Sequence, residues 1–363
     1  MIFRLTMFPA LDGDCLLVSW GAPEQLRHAL IDLGRGQTYK KIRPDLQVLG
    51  DLELLVISHI DADHIAGAIP MIREEPAPFT PKRVWYNAYP QLIAARDRSA
   101  QIEPFGARQG EKLARGIVHF NWPWNREFRS EVVSTDSPEA EWPIHLDGGL
   151  TIRLLSPNDA GLTALLPQWD KELARANIRP FDPDKDEDPL GPQFEAFGTV
   201  NVKQLADEPY SADPTEANGS AIAFLAEFNG KRLLLAADAH SEILEEALRP
   251  LADEEGGRYR IDLLKVSHHG SKANTSKKFS ELISCSRFAF STNGDRHEHP
   301  DEETVARFLT AFEDRDKTLY FNYRQPRTEL WDSRTLKHRW NYDCVFPVAT
   351  KEEPANGRLT IDV

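Results

Sequence analysis

Six consecutive residues hold most of the chemistry legible in this chain. His59-Ile60-Asp61-Ala62-Asp63-His64 sets two imidazoles and two carboxylates directly after an apolar run, 52–58, that reads as a buried strand. In an extended segment residues 59, 61 and 63 point to one side. Where the chain then turns into a helix, His64 comes round to the same cavity. Imidazole and carboxylate together suit zinc, manganese or iron. A solvated turn after a strand rarely holds two histidines and two aspartates in six residues, so we read the cluster as a metal site.

The elements that must position this cluster follow from periodicity and turn signals. Strands are expected at 3–8, 15–20 and 29–33, split by Leu11-Asp12-Gly13-Asp14 and Gly21-Ala22-Pro23. Residues 37–49 suggest a helix interrupted at Pro44, and 65–73 has helical spacing with Ile65, Ile69 and Ile72 on one face. A strand at 83–87, a helix over 91–118, a strand at 150–155 and a helix over about 159–177 come next. The remainder of 156–217 is rich in prolines and contains the acidic run Asp182-Pro183-Asp184-Lys185-Asp186-Glu187-Asp188. A long loop is expected there, serving as a lid or, near 182–216, as a surface for a protein partner. The second half repeats the strand-then-helix order. Asn229-Gly230 joins strands 221–228 and 232–236 as a hairpin. A helix at 241–251 and a buried strand at 261–266 lead to Ser267-His268-His269-Gly270-Ser271. A strand at 287–292, a helix at 301–312 and strands at 318–323, near 343–348 and at 357–363 complete the chain. Sheets flanked by helices in this order suggest a layered α/β sandwich.

Composition bounds the partners. The chain has 363 residues, 41% hydrophobic and 28% charged, enough for one large domain or two ordinary ones with a real core. No stretch approaches the roughly 18–20 apolar residues that cross a bilayer, so no membrane partner is expected. Residues 1–6 run straight into a strand-like pattern, without the order of a signal peptide. Cys15, Cys285 and Cys344 are few and far apart, which argues for a reducing cytoplasm and against a disulfide framework. A formal charge of −14 repels polyanions, which counts against tight binding of long duplex nucleic acid. A nucleotide or a short strand stays compatible, because bound metal ions offset active-site carboxylates.

The segment Val56-Ile57-Ser58-His59-Ile60-Asp61-Ala62-Asp63-His64-Ile65-Ala66-Gly67 resembles the signature motif of the metallo-β-lactamase superfamily. That family usually has histidine where this chain has Asp61. Aspartate there is similar to one branch, the soluble domain of bacterial competence DNA-uptake channel proteins and its stand-alone relatives. Leu11-Asp12-Gly13-Asp14-Cys15 resembles that branch's N-terminal turn, and Ala29-Leu30-Ile31-Asp32 the superfamily's first strand-end aspartate. Asn218-Gly219-Ser220 resembles the segment before the bridging aspartate, and Leu233-Leu234-Leu235-Ala236-Ala237-Asp238 the strand that ends in it. Lys265-Val266-Ser267-His268-His269-Gly270-Ser271 and His299-Pro300 resemble the closing elements. Together they cover about residues 3–80 and 218–312.

The resemblance implies an α/β fold of four layers, the αββα metallo-β-lactamase sandwich. It implies one domain over 1–363, with an insertion at about 156–217 and a C-terminal extension from about 315. Carried over, His59 and Asp61 bind a first metal, Asp63 and His64 a second with His268 as a further ligand, and Asp238 bridges both. The cofactor is then one or two divalent ions, zinc or manganese, and two ions about 4 Å apart share a hydroxide. Asp63 also orients the attacking water, and Asp32 holds a ligand histidine in its tautomer. Many family members supply another histidine before the bridging aspartate. This chain offers Asn218 and Ser220 there, so the first position is weak or draws on His299 from across the cleft. His269 and Ser271 are expected to bind a phosphate oxygen, and His299 to act as general acid or phosphate donor. His119 and His145 are expected to be structural, and His240 and His297 to lie on the surface or behind ligands.

Lys265, Lys272, Lys277 and Lys278 form the only basic cluster beside a motif. It reads either as a solvated face or as local attraction for a phosphate-bearing substrate. The tryptophans of Trp122-Pro123-Trp124 are expected to pack rather than to stack a base. The leading expectation is a phosphodiesterase or nuclease acting on a nucleotide or single-stranded nucleic acid by attack of metal-bound hydroxide. Two alternatives stand beside it, a hydrolase of a lactone, amide or thioester and a metal-binding interaction subunit with little turnover.

Overall fold

Alternation along very short apolar strands decides the architecture. The computed structural model describes residues 1–99, 108–128, 130–137, 142–176, 200–311, 315–348 and 357–363. In chain order the strands are β1 (Ile2–Met7), β2 (Leu16–Ala22), β3 (Gln25–Ile31), β4 (Leu54–Val56), β5 (Val84–Trp85), β6 (Ile144–His145), β7 (Thr151–Ser156) and β8 (Ala223–Phe228). They continue as β9 (Lys231–Leu235), β10 (Tyr259–Arg260), β11 (Leu263–Lys265), β12 (Ile283–Ser284), β13 (Arg287–Phe290), β14 (Lys317–Phe321), β15 (Tyr342–Val345) and β16 (Leu359–Asp362). One sheet has the order β16-β1-β2-β3-β4-β5, and the other β15-β14-β13-β11-β9-β8-β7-β6, while β10 and β12 form a separate pair.

Successive side chains of a strand face opposite ways. In β4, Leu54 and Val56 enter the core shared by the two sheets, while Leu55 enters a core on the outer face of the first sheet. In β9, Leu233 and Leu235 enter the shared core and Leu234 the outer core of the second sheet. Each sheet is therefore buried on both faces, which is why its strands read as continuous apolar runs. Helices Gly36–Gln47, Tyr89–Ser99, Arg108–His119 and Asp159–Ala176 carry residues of the first outer core. Helices Ser241–Glu254, Lys277–Leu282 and Glu302–Ala311 carry residues of the second. The αββα order implied by the resemblance is the one the chain adopts.

Several local expectations are corrected. Helix Gly36–Gln47 runs through Pro44 rather than stopping there. Pro44 and Lys40 are both exposed, so the carbonyl that loses its partner faces water, while Tyr39, Ile42 and Leu46 hold the other side in the core. The expected helix 65–73 is two short ones, Ala62–Ile65 and Ala68–Met71. Gly67 lies between them, and a side-chain carbon there would overlap the carbonyl of Leu33. Of the expected helix 91–118, the parts within Tyr89–Ser99 and Arg108–His119 are helical, and 100–107 lie outside the described residues. Part of the expected long loop has structure, since helix Val202–Asp207 packs on helix Glu302–Ala311. The acidic run 182–188 lies outside the described residues.

Asn229 (φ 51°) and Gly230 (φ 73°) make the two-residue turn between β8 and β9 expected of this pair. The C-terminal segment is built into both sheets, with β14 and β15 extending the second and β16 pairing antiparallel with β1. Trp122 stacks on Phe79 and Phe120, and Trp124 on Tyr86, so both tryptophans are packing residues. No helix among the described residues is long and apolar enough to cross a membrane.

Leu234→Ala empties a fully buried position and is expected to lower the unfolding free energy by about 2–5 kcal/mol. Val48→Ala, at a residue 83% exposed, is expected to change it by less than about 0.5 kcal/mol. Urea unfolding of the two variants checks the layer assignment.

Candidate metal centre

The parallel strands β3, β4, β9, β11 and β13 deliver their carboxyl ends to one cleft, the place where open α/β sheets present ligands. Asp32 follows β3 in a left-handed conformation (φ 59°), with its N–H donating to the Val56 carbonyl at 2.9 Å. Ser58 and His59 follow β4, and Asp238 follows β9 after Ala237 at φ 45°. His268 and His269 follow β11, both left-handed at φ 44° and 54°. The Ser58 carbonyl accepts the Ile222 N–H at 2.9 Å, tying the two sheets together at the cleft. Gly13 lies directly against Asp63, where a side-chain carbon would overlap the Asp63 carbonyl.

Hydrogen bonds fix the tautomers of four buried or half-buried histidines. His64 Nδ1 lies 2.8 Å from Asp32 Oδ2, a carboxylate oxygen that only accepts, so Nδ1 carries the proton. Ser58 Oγ donates to the same oxygen at 2.7 Å and therefore accepts from His59 Nδ1 at 2.9 Å. His269 Nδ1 donates to the Ser291 carbonyl at 2.9 Å. His268 Nδ1 donates to Asn274 Oδ1 at 2.7 Å, because both protons of the Asn274 amide go to Asp213 Oδ2 and the Asp238 carbonyl. In its neutral form each ring then presents a bare Nε2 lone pair.

Those Nε2 atoms converge on one carboxylate oxygen. Asp238 Oδ2 stands 3.3 Å from His64, 3.7 Å from His269, 3.8 Å from His59 and 3.8 Å from His268. His64 and His269 face each other Nε2 to Nε2 at 3.3 Å. Two lone pairs do not hold each other there. A proton on one ring or a shared cation does, and two ligands about 2.0–2.1 Å from a tetrahedral ion stand about 3.4 Å apart, close to the spacing here. Orphaned atoms agree, since His59 Nε2, Asp238 Oδ1 and Asp14 Oδ1 are buried without a hydrogen-bond partner. Among the described residues three groups set one ligand atom each within 4.8 Å of the others. They are His59, His64 and Asp238; Asp63, His64 and His269; and Asp14, Asp238 and His269. The donor set fits a divalent ion.

The electrostatics make the same demand. Burial pushes the Asp238 carboxyl up, but the imidazoles of His64, His269 and His268 outweigh it and hold it well below its ordinary range. Asp63 is also held down, burial being overcome by His64 and His269. Burial lowers His269, yet Asp238 and Asp14 raise it to about 10. His64 is raised likewise by Asp238, Asp32 and Asp63. The carboxylates thus call for positive charge at the Nε2 atoms. Protonating adjacent rings sets like charges side by side, whereas one divalent ion serves them all.

The structure differs from the sequence expectation in which histidine faces which carboxylate. His269, not His268, stands beside Asp63 and His64, with its Nε2 3.5 Å from Asp63 Oδ2. The two consecutive left-handed residues splay the rings, with centroids 6.0 Å apart and planes at 71°. Asp61 precedes helix Ala62–Ile65 without a capping side-chain hydrogen bond, its side chain 42% exposed and 3.7 Å from His59 Nε2. Ser271 Oγ accepts the Ala273 N–H inside its own turn. His299 lies beyond His268, ring centroids 5.2 Å apart, with Nδ1 buried and unpartnered. Burial first, then His268 and His269, push its pKa well below the ordinary value.

Asn218 donates to Asp213 Oδ2 at 2.6 Å, and Ser220 Oγ to the Ala217 carbonyl. His119 pairs with Glu75 on the surface, and His240 Nε2 bonds the Thr215 carbonyl. Three lysines of the four-lysine cluster are matched by acids: Lys265 is fully buried on Asp14 at 2.6 Å, Lys272 pairs with Glu303 and Lys277 with Asp207, while Lys278 is exposed. Sequence reasoning missed three residues of the centre. Asp14 sat in a recognised turn without a role, Asn274 lies just past the His-His-Gly-Ser turn, and Asp213 carries no motif at all.

Asp32→Asn turns an amide N–H toward Ser58 or His64 and is expected to weaken zinc binding by about 10–100-fold. Competition with a chromophoric chelator reads it, and unchanged affinity would mean that Asp32 does not set these tautomers.

The chain matches no protein-family model and no curated protein. Solved structures that match include a Thermotoga maritima protein described as a candidate zinc-dependent hydrolase of the metallo-β-lactamase superfamily. It is 11% identical over 87% of this chain and 89% of that one, with a TM-score of 0.32. The metallo-β-lactamase fold protein YhfI from Bacillus subtilis is 9% identical over 99% of both chains, with a TM-score of 0.35. The short form of human tRNase Z is 8% identical over 99% of this chain and 98% of that one, with a TM-score of 0.37. At these values the likenesses carry no argument about activity, and the fold rests on the sheets and cores described above.

Proposed function

We propose that this chain is a divalent-metal-dependent hydrolase whose substrate is a phosphodiester, a nucleotide or a single-stranded nucleic acid. The observation that carries the metal reading is the convergence of four Nε2 atoms, each with its Nδ1 proton already committed, on Asp238 Oδ2. Asp63, His64, His269 and Asp238 would hold one ion, and His59, Asp61 and Asp238 face a second position. An imidazole-rich set favours zinc, and the carboxylates also admit manganese. When bound, such ions activate a water at neutral pH and polarise the oxygen of the bond to be cleaved.

The chain's own residues do the rest. Asp32 and Ser58 hold the His64 and His59 rings so that no reorientation is needed during reaction. Asp63, kept ionised by His64 and His269, accepts a hydrogen bond from the attacking water and orients it. His299, kept neutral by burial and by its neighbours, offers a ring hydrogen bond to a substrate oxygen on the His268 side. Asp14, Asp32, Asp61, Asp63, Asp213 and Asp238 surround the cleft with Lys265 as the buried counter-charge. Each divalent ion bound there is therefore expected to reduce the repulsion that an anionic phosphodiester meets, so turnover of such a substrate should rise as the second ion position fills. The nucleic-acid part of the proposal draws on the sequence resemblance to the DNA-uptake branch.

One observation favours a second reading, hydrolysis of a lactone, amide or thioester. Lys265, Lys272 and Lys277 are paired with acids, which takes three of the four lysines of the cluster away from a phosphate. An uncharged carbonyl substrate needs no cationic rim, and a single ion suffices for it.

The test pairs a bis-aryl phosphodiester, single-stranded DNA and RNA with an aryl lactone, in zinc or manganese and after chelation. Phosphodiester cleavage that is lost with chelator and falls by about 10²–10⁴-fold in Asp63→Ala is the expected result. Lactone turnover without phosphodiester turnover would transfer the assignment to acyl substrates. Turnover of neither under any added ion would remove the hydrolase reading.

A further inference from the structure

A second buried polar cluster meets the metal centre at His268 and at the backbone carbonyl of Asp238. Asp213 is buried, and its Oδ1 accepts the Thr215 N–H at 2.9 Å and the Thr215 hydroxyl at 2.6 Å. Its Oδ2 accepts Asn218 Nδ2 at 2.6 Å and Asn274 Nδ2 at 3.0 Å. The remaining Asn274 proton goes to the Asp238 carbonyl at 3.1 Å, so Asn274 Oδ1 must turn to His268 Nδ1, 2.7 Å away, the shortest of that nitrogen's contacts beside Asn218 Nδ2 at 3.2 Å and Asp213 Oδ2 at 3.4 Å. That contact makes Nδ1 a donor and leaves Nε2 bare, 3.8 Å from Asp238 Oδ2. The Asp213 N–H donates to the Ala273 carbonyl at 3.1 Å, and Tyr210 Oη to the same carbonyl at 3.0 Å. Arg307 donates to the Lys272 and Thr275 carbonyls from the far side. The segment that carries Asp213 is thus fastened to the turn that carries His268.

We propose that Asp213 is a positioning residue that, through Asn274, makes His268 the fourth imidazole of the metal centre and completes the ion position faced by His59 and Asp61. This deepens the metal-centre reading above and rests on it. His268 then supplies from the β11 turn what Asn218 cannot supply from the segment before Asp238. Asn218 instead braces Asp213, and its own Oδ1 is buried without a partner. Swapping Asp213 for its amide keeps the volume but replaces a two-oxygen acceptor of four donors with a group that accepts at one atom only. Asn274 is then free to flip and His268 to lose its donor tautomer.

The experiment uses the full chain and cobalt(II) as the probe. Binding stoichiometry and visible absorption are measured for the wild type, Asp213→Asn and His268→Ala, beside nitrogen-15 imidazole spectra of the metal-free proteins. Two ions per chain are expected in the wild type, with one of them weakened by about 10–100-fold in both variants. The His268 Nδ1–H signal is expected in the wild type and lost in Asp213→Asn. Cobalt binding and absorption unchanged in both variants, at whatever stoichiometry, would overturn this inference while leaving the metal centre standing. Absence of cobalt binding in the wild type removes the metal reading and this inference with it. Should Asp213→Asn not fold, Asn274→Ala is expected to show the same weakened ion, and full-strength binding in it overturns the proposal.

Discussion

The carboxylate of Asp32 is the contact on which the centre depends. It is fully buried at the end of β3 and takes three hydrogen bonds, from Ser58 N–H at 2.7 Å, Ser58 Oγ at 2.7 Å and His64 Nδ1 at 2.8 Å. A carboxylate that only accepts decides where every neighbouring proton must be. Through Ser58 that decision reaches His59, so one residue aims two of the four imidazoles. Without it three buried donors lose their acceptor, and each such loss costs about 1–3 kcal/mol.

The scaffold tolerates unfavourable backbone to make this possible. Asp32, Ala237, His268 and His269 all sit at positive φ, within four residues of the ends of β3, β9 and β11. Such conformations cost of order 1–3 kcal/mol each for residues other than glycine, and persist where the surroundings over-determine them. Here the surroundings are parallel strand pairs buried on both faces. Short strands suffice because each residue in them contributes to one of two cores.

Much of this was legible in the sequence. Leu52 to Ser58 and Leu233 to Asp238 show apolar strands breaking into polar residues, and that break is what places His59 and Asp238 past the carboxyl ends of β4 and β9. The same runs suggested layered sheets and helices, and the αββα order came from the family resemblance. What the sequence did not show depends on three-dimensional detail. Two consecutive left-handed histidines decide that His269, rather than His268, meets Asp63, and no periodicity announces them. Asp213 reaches His268 from 55 positions away through an amide whose orientation is set by Asp238. Lys272 and Lys277 looked like a basic patch until Glu303 and Asp207 folded onto them. Pro44 reads as a helix stop, yet the exposed side of a core-anchored helix absorbs it.

The central claim is that the Nε2 atoms of His59, His64, His268 and His269 are aimed at a cation on Asp238. Anomalous diffraction at the zinc edge, from crystals grown with zinc, tests it most directly. One or two strong peaks enclosed by those four nitrogens and Asp238 Oδ2 are the predicted result. A cleft without anomalous density at saturating zinc, or zinc bound only at surface carboxylates, would contradict the account.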